Sequence, residues 1–173
     1  MKHQINIPLI GGNALVRPSY LVIHAMAEYI RITEEGSKWF RDKKKANIPP
    51  RDYHAAEWLK LRRLSAHKLF APNGVVISCR NLNMQAWHAA EFNPKAVGFE
   101  YLVEGAWDYF SFLTKIKEEW VTPAQYKSGL IECRKVLHPH MAPVRHSDIA
   151  PDRKYDPGDG FPWKEFLTDL NLV

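Results

Sequence analysis

The sequence predicts an α/β fold: a single domain with a mixed central β-sheet flanked by helices. Three observations predict it. Short apolar, β-branched runs of strand length recur along the chain. Two of them flank a Pro-Asn-Gly turn. Between the runs lie segments with helix-start signals and helical spacing of apolar residues. Strands interleaved with helices bury both faces of a sheet, which is the layered arrangement of α/β domains.

The elements follow in order. Residues up to about Ser19 contain Gly11-Gly12 and two prolines, Pro8 and Pro18, and read as an extended lead-in. Tyr20-Leu21-Val22-Ile23-His24 reads as a buried strand that ends on a histidine. Lys38 to Pro50 is polar and basic and reads as a solvated loop. Asp52 to Arg63 has helix-forming composition, with Asp52 as N-cap and Ala55, Trp58 and Leu59 near one face. His67 to Ala71 and Val75 to Cys79 form a hairpin around Pro72-Asn73-Gly74. Ala96 to Val103 is another apolar strand, interrupted by Gly98. Thr122-Pro123-Ala124-Gln125 starts a helix with N-cap Thr, N1 Pro and N3 Gln, as in a capping box. Tyr126, Leu130, Cys133 and Leu137 continue it, and Pro139 stops it. Pro162 to about Leu170 reads as a short terminal helix.

Composition bounds the function. The 173 residues suit one domain, with 46% apolar and 25% charged residues. A net charge of +5 favours encounter with anionic partners and equally serves solubility. No helix-turn-helix, zinc-finger or single-strand stacking signature accompanies it, so no nucleic-acid partner is expected. No apolar run is long enough to span a membrane. Met1 to Gly12 lacks a signal-peptide core, so synthesis without export by a standard signal is expected. Cys79 and Cys133 form no CxxC pair and read as buried small apolar residues.

The chemistry concentrates in Arg145 to Gly158, a stretch rich in proline, glycine and charge that reads as an irregular loop. It offers two potential metal ligands, His146 and Asp156, 10 residues apart, with Lys154 two residues before the aspartate. His24 supplies a possible third. Two imidazoles and a carboxylate leave a zinc ion with net positive charge, as a catalytic zinc site with an open position requires. Spacing alone does not separate this from ordinary surface or core histidines, because the chain has 8.

Four segments, in order, resemble the zinc-dependent N-acetylmuramoyl-L-alanine amidases of the type 2 family. Leu21-Val22-Ile23-His24 resembles the strand of the first ligand. Ser65-Ala66-His67-Lys68-Leu69 with Asn73-Gly74 resembles the family hairpin. Ala86-Trp87-His88-Ala89, Asn93 and Val97-Gly98-Phe99-Glu100 resemble its central segments. His146 to Lys154, Asp156-Pro157-Gly158 and Phe161-Pro162-Trp163 resemble the closing loop. The resemblance covers about Tyr20 to Trp163 and implies one amidase domain over residues 1–173, with its core at about 20–166.

It implies zinc held by His24, His146 and Asp156, with Glu100 as general base and Lys154 as oxyanion stabiliser. It places Trp87, His88 and Asn93 as candidates for substrate binding. His67 reads as a hydrogen-bonded histidine packed under the hairpin, and Trp87 stays open between groove and core. His138 and His140 flank a helix end and are not ligands.

The implied reaction is hydrolysis of the amide between N-acetylmuramic acid and L-alanine, with peptidoglycan or a muropeptide as partner and a monomer as the working unit. Within it, the short stretch between Ala90 and Ala96 favours a polymer-cleaving endolysin or wall hydrolase, acting on the cell wall. The alternative is a cytoplasmic enzyme that recycles anhydromuropeptides. A non-catalytic peptidoglycan-binding protein is a third reading, against which all three ligand positions, Glu100 and Lys154 are filled.

Overall fold

The computed structural model describes residues 4–15, 17–30 and 54–173. The basic segment Lys38 to Pro50 and the expected N-cap Asp52 lie outside the described residues. The described chain forms eight strands: β1 (Gln4–Asn6), β2 (Gly11–Ala14), β3 (Tyr20–Ile30), β4 (Lys68–Phe70), β5 (Val76–Ser78), β6 (Met84–Ala86), β7 (Ala96–Trp107) and β8 (Ala142–Arg145). Its helices are α1 (His54–Leu61), α2 (Tyr109–Lys115), α3 (Pro123–Val136), α4 (His146–Ile149) and α5 (Trp163–Asp169). A 3-10 turn, Ala90–Lys95, leads into β7.

Six strands make one mixed sheet in the order β1-β5-β4-β7-β3-β8, and β2 pairs with β6 apart from it. Only the β4–β5 hairpin is antiparallel within the large sheet. The hairpin is the one expected: Asn73 Oδ1 accepts from the Val75 N–H at 3.0 Å, and Ala71 and Val75 close the turn. The mixed sheet with helices against it is the predicted fold class.

Strand β7 is the axis. Ala96 to Val103 are all buried, as a central strand covered on both faces must be. Alternation sorts its side chains. Val97, Phe99, Tyr101 and Val103 enter one core with Leu21, Ile23 and Phe70, covered by Leu130 and Cys133 of α3 and Phe166 of α5. Leu102 turns to the opposite face with Leu69, Ile77, and Ala55 and Leu59 of α1. Each large apolar side chain fully buried this way contributes about 1.5–3 kcal/mol. Both cysteines are buried, and burial pushes the Cys79 thiol up to about 12.

Thr122 caps α3 as expected, its Oγ1 accepting from the Gln125 N–H at 3.1 Å. The reciprocal half of the capping box is not made. Gln125 Nε2 instead donates to the Phe70 and Leu102 carbonyls at 2.7 and 2.8 Å, tying the helix to two strands of the sheet.

Three expectations need correction. The first strand does not end on His24: β3 runs on to Ile30, held by pairing with β7 through Ile30↔Trp107. The lead-in is partly sheet, since β1 lies parallel to β5, and β2 lies against β6. Arg145 to Gly158 is not wholly irregular, because Arg145 closes β8 and His146–Ile149 form a helical turn. Asp148 supports that turn by accepting from the Arg145 N–H at 2.9 Å.

Candidate metal centre and active-site groove

The sheet brings the candidate ligands together. His24 and Glu100 are register partners on β3 and β7, so both project from one face, the face opposite α3. Ile23 pairs with Arg145 on β8, which sets His146 at the strand's C-terminal end beside His24. Such ends are where α/β sheets collect functional groups. The chain then returns, and the Ser147 N–H donates to the Asp156 carbonyl at 3.0 Å, which folds the aspartate back over its own helical turn.

Gly158 is what lets this loop close. Its φ is +79°, and a Cβ there would stand 2.3 Å from the Ile116 carbonyl oxygen. A side chain would therefore push the loop, with Asp156 and Lys154, off the body of the protein.

The ligand atoms form a tight triangle. His24 Nδ1 lies 2.9 Å from His146 Nδ1 and 3.1 Å from Asp156 Oδ2, and His146 Nδ1 lies 3.0 Å from Asp156 Oδ2. Three such atoms this close must share a proton or a cation between them. A tetrahedral zinc ion with bonds of about 2.0–2.1 Å spaces its ligands about 3.3 Å apart, close to this triangle. The donor set, two nitrogens and one oxygen, suits zinc as well. Among the described residues this is the one group of three histidine, cysteine or acidic side chains placed to hold an ion.

The electrostatics are those of a buried site. Burial holds the His24 imidazole down at about 4, with the neighbouring Asp156 opposing the effect. Burial also lowers His88, reinforced by the neighbouring imidazoles. For Asp156, burial works to raise the carboxyl, but the His146 and His24 rings beside it outweigh that and hold the group well below the usual carboxylate range. Glu100 goes the other way. Burial and the Asp156 charge push it up to about 8, while Lys154 pulls it down. Its Oε1 is 3.9 Å from His24 Nδ1. Its Oε2 is buried and has no hydrogen-bond partner among the described residues. That is a carboxyl oxygen with no competing partner among those residues, placed beside the triangle where a proton could be exchanged.

These groups line one groove of about 430 Å³. His24, His88, Glu100, His146, Lys154, Asp156 and Trp87 all reach it. Asn93 does not. Its Oδ1 accepts from the His88 and Ala89 N–H groups at 3.0 and 2.7 Å and fixes the turn before β7. His67 is packed beneath the hairpin as expected, its Nδ1 accepting from the Gly98 N–H at 2.9 Å and its Nε2 2.8 Å from the Met84 carbonyl. His138 and His140 are exposed and stand outside the groove.

Several groove residues carry no motif in the sequence: Trp58 of α1 and Arg62 just after it, Trp107, Tyr109 and Phe112 around α2, and Tyr155. Helix α2 itself carried a signal, Asp108 three residues before Ser111, and Asp108 Oδ1 accepts from the Ser111 N–H at 3.0 Å.

Comparison with known proteins agrees with this geometry. Residues 14–159 match the family described as N-acetylmuramoyl-L-alanine amidase. The chain is 32% identical over 168 residues to the 1,6-anhydro-N-acetylmuramyl-L-alanine amidase AmpD of Haemophilus influenzae, covering 88% of this chain and 82% of that protein. Among solved structures, a selenomethionine derivative of AmpD superposes with a TM-score of 0.68 at 22% identity, covering 98% of this chain and 95% of that one. The endolysin N-acetylmuramoyl-L-alanine amidase LysCS of Clostridium intestinale superposes with a TM-score of 0.60 at 19% identity, covering 100% and 98%. At those identities the structural likeness establishes the fold, and the sequence matches establish the kinship. The chain belongs to the N-acetylmuramoyl-L-alanine amidase family.

Proposed function

We propose that this chain, an N-acetylmuramoyl-L-alanine amidase by family, holds zinc through His24, His146 and Asp156 and acts on soluble anhydromuramyl peptides. The observation that carries the metal is the triangle of His24 Nδ1, His146 Nδ1 and Asp156 Oδ2, with every side within 3.1 Å. A zinc ion bound there supplies a Lewis acid that lowers the pKa of water and polarises the amide carbonyl.

The remaining work falls to the chain's own residues. Glu100, with Oε2 unpartnered beside the triangle, takes a proton from the attacking water and later delivers it to the departing L-alanine amine. An amide is a poor electrophile, so the oxyanion that forms on the substrate needs an opposing charge. Lys154 lines the same groove from the closing loop and supplies that charge. Trp87 and His88 line the wall along which a muropeptide lies. Residues 1–173 are read as one amidase domain working as a monomer, which light scattering of the eluting protein checks.

The choice of substrate reverses the preference drawn from the short Ala90–Ala96 stretch. That stretch is a 3-10 turn whose Asn93 pins His88, so its length reflects support of the site. The Haemophilus influenzae relative is named for the 1,6-anhydro substrate and matches over most of both chains. The test is mass analysis of products from soluble anhydromuropeptides and from intact sacculi, with and without a chelator. The reading expects chelator-sensitive release of L-alanine-bearing peptide from the soluble substrate first. Release from sacculi alone would return the protein to the endolysin and wall-lytic reading. Binding without release from either, zinc supplied, would make it a recognition protein.

A further inference from the structure

We infer that His88 is a positioning residue for the metal centre: it holds His24 in the tautomer whose Nδ1 lone pair faces His146 and Asp156. This rests on the metal reading proposed above. His24 Nε2 lies 2.9 Å from His88 Nδ1, with the two rings perpendicular at 89°. On its far side His88 Nε2 lies 3.4 Å from the Ala96 carbonyl oxygen. A carbonyl only accepts, so His88 carries its hydrogen on Nε2. A neutral imidazole has one such hydrogen, so His88 Nδ1 is an acceptor. His24 must then donate from Nε2, which leaves its Nδ1 bare on the side of the triangle. A metal-ligating histidine needs this kind of partner on its second nitrogen to fix both tautomer and ring orientation.

The surroundings of His88 serve the same end. Its backbone N–H is held by Asn93 Oδ1 at 3.0 Å. Its ring lies against Gly98 of β7, where a Cβ would stand 2.5 Å from the ring atoms, so only glycine leaves the space. The His67 ring closes the back at 5.8 Å between centroids. His146, His24, His88 and His67 thus stand in file across the sheet, and the file ends in backbone groups of Gly98 and Met84.

The test has two arms. Long-range proton–nitrogen NMR on the metal-free wild-type protein reads the tautomer of His24. The inference expects hydrogen on Nε2, and hydrogen on Nδ1 overturns it. Zinc affinity, measured by competition with a chelator, is compared for wild type, His88→Leu and His88→Asn. Removing such a partner weakens zinc binding about 10–100-fold, so His88→Leu should do so. His88→Asn keeps an acceptor near the place of Nδ1 and should recover most of the loss. A folded His88→Leu protein that binds zinc as tightly as wild type overturns the inference. If circular dichroism shows His88→Leu unfolded, the tautomer and the Asn variant decide. A wild-type protein that binds no zinc would sink the metal reading alone, and the His24 tautomer would still decide for or against His88.

Discussion

His24 and Glu100 are paired residues on adjacent parallel strands, and their side chains approach to 3.9 Å from the same face of the sheet. The separation of the proposed base from the proposed metal ligand is therefore fixed by the strand ladder and not by a loop. Glu100→Gln keeps the size and the strand, and removes the proton acceptor. It should fold and bind zinc like the wild type while turnover falls about 10²–10⁴-fold. Parallel metal analysis and product assays check this, and near-normal turnover would remove Glu100 as base.

His146→Ala deletes one corner of the ligand triangle. Two ligands bind zinc far more weakly than three, so the purified variant should carry little metal and have no measurable activity. Elemental analysis of the protein gives the answer. A full complement of zinc in the variant would refute the assignment of His146.

His67 makes folding stability depend on pH. Burial, chiefly, holds its imidazole down at about 4 against an ordinary 6.5. Between those values the unfolded chain binds a proton that the folded chain refuses. Stability is complete above about pH 6.5, falls as the pH drops toward 4, and loses no more below that. The full contribution is on the order of 3 kcal/mol. His67→Asn keeps an acceptor for the Gly98 N–H and has nothing to titrate there. Urea unfolding of metal-free protein at pH 7 and pH 5 should show a smaller loss in the variant than in the wild type; equal losses would contradict the assignment.

Lys68 of β4 and Glu132 of α3 form an ion pair with side chains only 10% and 11% exposed, on the face away from the groove. Glu132 also holds the exposed Lys135. The two single variants should therefore differ. Glu132→Leu strands the buried ammonium and should cost about 3 kcal/mol. Lys68→Met should cost less, since Lys135 still accompanies the carboxylate. The double variant should recover most of the loss, because an apolar pair fills the same space without desolvated charge. Denaturant unfolding measures each, and activity per folded molecule should stay unchanged.

The sequence was most legible where the signal is local. The Asn73-Gly74 turn and the Thr122 cap each depend on a few adjacent residues, and both stand as expected. Elements that depend on distant partners were hidden. Strand β8 contains Pro143, which argues against a central strand, and it survives because β8 lies at the sheet's edge. The far half of β3, Ala25 to Ile30, has no strong strand composition and is extended because β7 runs beside it. Site residues that belong to a motif were legible, whereas Trp58, Arg62 and Tyr109 reach the groove only through how α1 and α2 pack. Asn93 was legible as part of a motif but not as a brace for His88, a role that only its hydrogen bonds disclose.

The closing loop has a consequence for when the protein becomes an enzyme. His146, Lys154 and Asp156 lie more than a hundred residues beyond His24 in the chain. A growing polypeptide can lay down the hairpin and the central strands β3 and β7 while holding just one of the proposed ligands and the proposed base. Hydrolytic competence can begin only when the last edge strand docks and its loop folds over. The onset of activity in a refolding or translation experiment would thus time the final step of assembly, whereas the appearance of β-sheet would time an earlier one.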